Sequence, residues 1–250
     1  MPTRRSSLHT FACVSVLLSG SLIANAPTAN AQTTGNGIFV PVEPEPINDA
    51  IARLIRPGAT ASTLTLCDLP NETVLITTRT TTSEGTVKYL LASASKKDET
   101  YEVTQDYMKY VSLRDADNRI VRYGITLRVK AHVYARSASI DLGGLLPIGV
   151  AANRGRASGS LVVEIAGIQS RDVTNALPLP AQLSQESVIA AITAAATIKS
   201  RIYDGFDGVP QSNNSSPAPR TKITIQRIAI EILPREQKQV EGEAGVFTVQ

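Results

Sequence analysis

Tryptophan does not occur in this chain of 250 residues, histidine, cysteine and methionine occur twice each, and aromatic residues make up 4% of it. Each shortage removes a class of function. Secreted sugar-binding sites stack their ligands on aromatic rings, and few rings are available here. His9 lies near the N-terminus, so the body of the chain offers a single histidine, His132. One histidine and one cysteine cannot supply the three or four N and S ligands of a zinc site, so no metal is expected. A Ser-His-Asp device would have to use His132, and Ser158 in Gly155-Arg156-Ala157-Ser158-Gly159 lacks the glycine spacing of a nucleophile elbow. No phosphate-cradling glycine motif of the P-loop or dinucleotide type is present, so no cofactor is expected. No apolar run reaches the ~20 residues that a membrane-spanning helix needs. A formal net charge of +3 is too small for a nucleic-acid partner.

The sequence is also too apolar for a disordered chain, with 42% hydrophobic and 19% charged residues. Its first 31 residues have the layout of a secretory signal peptide. Arg4 and Arg5 form a positive start, residues 11–23 form a short apolar stretch, and Ala29-Asn30-Ala31 provides small residues for cleavage before Gln32. The paired arginines partly match a twin-arginine export signal, but Ser7 stands where a bulky apolar residue belongs, which favours the ordinary route. Export to the periplasm or the exterior is the expectation. Cleavage leaves a net charge close to zero and Cys67 as the remaining thiol, expected to pack as a small apolar group, with an intermolecular bridge as the alternative.

Residues 32–46 read as an extended, polyproline-like lead-in. Residues 47–234 form one domain, and 235–250 a charged, flexible tail. Asn48 and Asp49 start a short helix that Pro57-Gly58 stops. Strand-like runs follow at 63–67, 73–80, 86–93 and 100–113, and Asp115–Asn118 forms a hairpin turn rather than a cation loop. Residues 141–159 are a long connection with one short helix, and 161–165 a further strand. Ser184 caps an amphipathic helix over about 184–203 whose apolar stripe is Val188, Ala191, Ile192, Ala195, Ile198 and Ile202. A polar loop covers 204–219, with acidic turn chemistry at Asp204–Gly208. The last strand, 222–233, switches its apolar parity near Gln226-Arg227, which predicts a bulge. Strands in succession with one late helix predict an α+β fold, a mainly antiparallel sheet with that helix packed on it.

Within the segment 119–136, odd positions from Val121 to Ala135 are apolar and even positions from Arg122 to Arg136 are polar apart from Gly124. At about 3.3 Å per residue the segment would extend some 50 Å, so a bend or bulge is expected at Gly124. Its even positions place Arg122, Arg128, Lys130, His132 and Arg136 on one face, a candidate anion-binding stripe. Glu99, Glu102 or Glu164 on neighbouring strands are candidates to neutralise it. The functional expectation is an exported, non-catalytic binding, interaction or envelope-associated protein. Its partner would be a protein or an anionic envelope component. A secreted hydrolase with scattered carboxylate or Ser/Lys chemistry is the alternative reading, and a membrane-inserting β protein built on the 119–136 strand a remote one.

Overall fold

The computed structural model describes residues 38–81, 87–90, 95–204, 222–232, 238–239 and 246–249. The expected signal peptide, the cleavage site before Gln32 and the loop 205–219 lie outside these residues. The elements in chain order are β1 (Ile38–Pro46), α1 (Asp49–Ile55), β2 (Asn71–Thr81), β3 (Val87–Leu90), β4 (Thr100–Arg114), β5 (Ile120–Ala135), α2 (Leu145–Asn153), β6 (Ala157–Ala166), β7 (Ile168–Gln169), α3 (Arg171–Thr174), β8 (Ala181–Gln182), α4 (Gln185–Asp204), β9 (Lys222–Ile223), β10 (Gln226–Ile232), β11 (Lys238–Gln239) and β12 (Val246–Val249). The fold is α+β, with a mainly antiparallel sheet carrying helices. The strand order is β1-β10-β5-β4-β2-β3-β12-β11, with β6 also on β5, β8 on β6, and β7 paired with β9.

Asp115 organises the β4–β5 hairpin. Its carboxylate accepts from the backbone N–H groups of Asp117 at 3.0 Å and Arg119 at 2.9 Å, and Asn118 takes a left-handed φ of 65°. Some burial pushes the Asp115 carboxyl up, but hydrogen bonds from the Arg119 backbone and guanidinium outweigh it and hold the carboxyl below its usual range. From this turn the two strands pair without a break, from Arg114 opposite Ile120 to Thr100 opposite Tyr134. The bulge expected at Gly124 is absent from this ladder. The position needs glycine for a different reason: a Cβ there would lie 2.0 Å from the Lys109 carbonyl oxygen.

The odd face of β5 carries the main core. Ile125, Leu127, Val129, Ala131 and Val133 pack with the α4 stripe of Val188, Ala191, Ala195, Ile198 and Ile202, and with Leu145 and Ile148 of α2. Helix α4 begins as its sequence dictates. Ser184 Oγ accepts from the Ser187 N–H at 3.1 Å and Ser187 Oγ accepts from the Ser184 N–H at 2.9 Å, a reciprocal cap. The even face carries a second core in which Phe39 of β1 and Ile228 and Ala229 of β10 meet Leu75 and Met108. The register shift between Arg227 and Ala229 is the predicted bulge, and it lets both Ile228 and Ala229 point into apolar surroundings.

Several local expectations are corrected. Residues 38–46 are not a polyproline lead-in but a strand paired to β10 from Ile38 opposite Ile232 to Pro46 opposite Gln226. Pro41, Pro44 and Pro46 are tolerated because β1 ends the strand order, where one edge needs no donors. Residues 63–67 are not a strand. Asp68 Oδ2 accepts from the Thr65 backbone N–H at 2.7 Å and from the Thr65 hydroxyl at 3.1 Å, and this local bonding favours a 3₁₀ turn over Leu66–Asp68. Cys67 lies in that turn and is exposed rather than packed as an apolar group. Within the charged tail, the backbones of β11 and β12 pair with each other, and β12 pairs with β3.

Candidate functional site

The polar face of β5 is not a continuous exposed stripe. The first half of the strand is buried on both sides, because β1 lies against its even face, with Phe39 on Arg122 and the Val42 carbonyl on Arg128. Arg122 is 3% exposed and stacks between the rings of Phe39 and Tyr110, 3.7 Å and 4.6 Å from their centroids. Its Nε and Nη1 atoms are buried without a hydrogen-bond partner. Burial lowers its pKa, against the opposing pull of Tyr110 and Glu231.

Arg128 lies directly across the ladder from Asp106. Its Nε donates to Oδ1 at 2.7 Å and its Nη2 to Oδ2 at 2.9 Å, a bidentate pair closed off from solvent. The same guanidinium donates to the Val42 carbonyl of β1 at 3.3 Å. Burial pushes the Asp106 carboxyl above its ordinary range while the guanidinium pulls it back, and the carboxylate in turn holds Arg128 charged.

Nearer solvent, Lys130 pairs with Glu164 of β6 at 2.8 Å. His132 is half-exposed, with Nδ1 3.8 Å from Glu102, and Glu102 is bound by Arg79 at 2.8 Å. Burial raises the Glu102 carboxyl, but the Arg79 hydrogen bond and charge, helped by His132 and Lys130, hold it below its usual value. Glu102 and Glu164 therefore neutralise the stripe, as the sequence anticipates. Glu99 does not take part: it accepts from the Tyr101 hydroxyl at 2.6 Å, and burial first, then this hydrogen bond, push that phenol up to about 12. Arg136 stands beyond the others and makes no ion pair with any described residue.

Asp106, the buried partner of Arg128, is the residue that charge counting along the sequence misses. The hairpin turn contains the signal. Counting outward from Arg114 opposite Ile120 brings Asp106 to Arg128 and Glu102 to His132.

A groove of about 580 Å³ opens where the edge of β5 changes partner. β10 pairs with β5 up to Gly124, and β6 takes over from Thr126. The two strands diverge, and the short β7–β9 pair occupies the fork. Gly167 makes the turn out of β6 with φ 78°, and a Cβ there would meet the Thr224 carbonyl oxygen at 2.5 Å. Thr126, Arg128 and Lys130 form the floor, Glu43 of β1 one wall and Glu164 the other. The lining holds two acids, Glu43 and Glu164, and two bases, Arg128 and Lys130, and both bases are already tied to a carboxylate. The arrangement suits a neutral or cationic polar ligand better than an anion.

Among the described residues, no group of three or more His, Cys, Asp or Glu side chains is placed to hold a metal ion, and no helix is long and apolar enough to cross a membrane. Comparison with family models, curated proteins and solved structures finds no match to the chain.

Proposed function

We propose that the protein is exported and acts by binding rather than catalysis, with the groove at the β10–β6 fork as its ligand site. The observation that carries this reading is the groove itself. Its volume falls within the range of about 300–1,000 Å³ typical of small-molecule sites, and its polar floor is fixed in advance by paired charges. Charges held by each other orient a ligand without having to be ordered by it. They are also poorly suited to act as nucleophile or base, since each is already committed to a partner. The signal-like N-terminus supports the export half of the reading.

Two measurements test it. N-terminal sequencing of the chain recovered from fractionated cells should begin at Gln32, and retention of Met1 in the native protein would refute export. Amide chemical-shift mapping of the mature chain with amino acids, polyamines and neutral sugars should move resonances of Thr126–Lys130 and Glu164–Gly167. Shifts confined to other surfaces, or turnover of any substrate that a point mutation abolishes, would overturn the binding role.

A further inference from the structure

The geometry points to a second site, richer in cations, where β5 ends and β6 begins: a phosphate-binding site formed by Arg154 and Arg156, with Arg136 beside Arg156 across the ladder. Ala135 lies opposite Ala157 in the β5–β6 ladder, and the Arg136 N–H donates to the Arg156 carbonyl at 2.8 Å just beyond it. The two arginines therefore extend the antiparallel pair as direct neighbours, an arrangement in which like charges repel unless an anion is shared between them. Neither Arg136 nor Arg154 makes an ion pair with a described residue, and all three arginines are exposed.

Arg154 and Arg156 line a depression of about 290 Å³ with Ser139 and Asp141 at its rim and Ile140, Pro147, Val150 and Ala151 among its apolar walls. Arg156 is held in place on one edge, its Nε donating to Ser137 Oγ at 3.0 Å and its Nη2 to the Ala138 carbonyl at 3.3 Å. The opposite edge of the guanidinium is left for a ligand. The arginines are not consumed in capping α2 either. Its last carbonyls already accept from backbone N–H groups, Val150 from Arg154, Ala151 from Arg156 and Ala152 from Gly155. Asp141 is the acid of the depression, and its Oδ1 is occupied by the Gly143 N–H at 2.8 Å. Cations thus outnumber acids here, unlike the fork groove, where the two are equal in number.

Arg154 and Arg156 line one depression, and Arg136 stands across the ladder from Arg156. More than one exposed guanidinium fork suits a tetrahedral oxyanion, whose oxygens accept from several forks at once, better than a planar carboxylate that one fork saturates. The apolar walls leave room for an organic part, so the ligand is a phosphate ester, either a soluble metabolite or a lipid head group.

Isothermal titration of the mature protein with inorganic pyrophosphate at low salt, and co-sedimentation with phosphatidylcholine vesicles with and without phosphatidylglycerol, test the site and separate the two sources. Binding to pyrophosphate supports the soluble ester; binding only to vesicles containing phosphatidylglycerol supports the lipid. In either case Arg136→Ser with Arg154→Ser should weaken binding by about tenfold or more, and Asp141→Asn, which keeps the acceptor for Gly143, should tighten it. The gain in the second variant cannot come from misfolding. Lys130→Gln in the fork groove should leave phosphate affinity unchanged, so this site and the groove fail independently. Absence of binding to both probes, or equal affinity in the double arginine variant, would overturn the proposal.

Discussion

Arg128 and Asp106 face each other on the central strand pair, joined by two hydrogen bonds, with side chains only 6% and 0% exposed. Removing either partner strands the other in a place water does not reach. Arg128→Met should therefore cost about 3–5 kcal/mol in urea unfolding, whereas the double replacement Arg128→Met, Asp106→Leu should recover much of that loss. Because Arg128 also holds the Val42 carbonyl, the single variant should lose hydrogen-exchange protection in β1 before the rest of the sheet.

Glu102 gives the fold a dependence on acid. Its carboxyl is held below its ordinary value in the folded protein, chiefly because Arg79 outweighs the effect of burial. The stabilisation is complete above the unfolded value of about 4.3 and disappears as pH falls through the lower folded value. Stability measured from pH 6 downward should fall less steeply for Glu102→Gln than for the native protein. An unchanged slope would show that the Arg79 pair contributes nothing to the acid response.

Gly124 has no space for a side chain. Gly124→Ala forces a Cβ toward the Lys109 carbonyl oxygen, and either β4 or β5 must give way. A loss of several kcal/mol is expected, on the order of other overpacking changes or more, readable as a lowered melting temperature.

Ile198 is fully buried where α4 meets the odd face of β5. Ile198→Ala should cost about 2–5 kcal/mol by leaving a cavity in the main core. Ser184→Ala, which removes the hydroxyl acceptor of the helix cap, should cost about 1 kcal/mol. The ratio of the two in denaturant titrations distinguishes core packing from capping as the force that seats the helix.

Cys67 should react with a thiol reagent in the native state at the rate of an exposed cysteine. Reaction only after denaturant is added would mean that the turn around Leu66–Asp68 is covered in solution.

Periodicity made the main frame legible. The alternation of Val121 to Ala135, the turn at Asp115–Asn118 and the stripe from Val188 to Ile202 are strong local signals, and each agrees with the folded structure. What periodicity did not reveal was cover on the second face. Polar even positions suggest solvent, yet Arg122 and Arg128 are buried against β1, a strand far from β5 in sequence. Nothing local in Ile38–Pro46 announces that cover, since its prolines mimic a linker. The arginine site was half visible for a similar reason: Arg156 comes opposite Arg136, and Arg154 beside Arg156 at the depression, only after a connection through α2 whose path depends on tertiary packing.

The prolines of β1 have a consequence for molecules meeting one another. Among the described residues β1 stands at the end of the strand order, and an open strand border is a template on which a neighbouring chain can continue the ladder. Pro41, Pro44 and Pro46 remove backbone donors along that border and interrupt any regular run of bonds a newcomer could form. Such a border is a poor template, so the addition of a second copy's strand beside β1 is disfavoured.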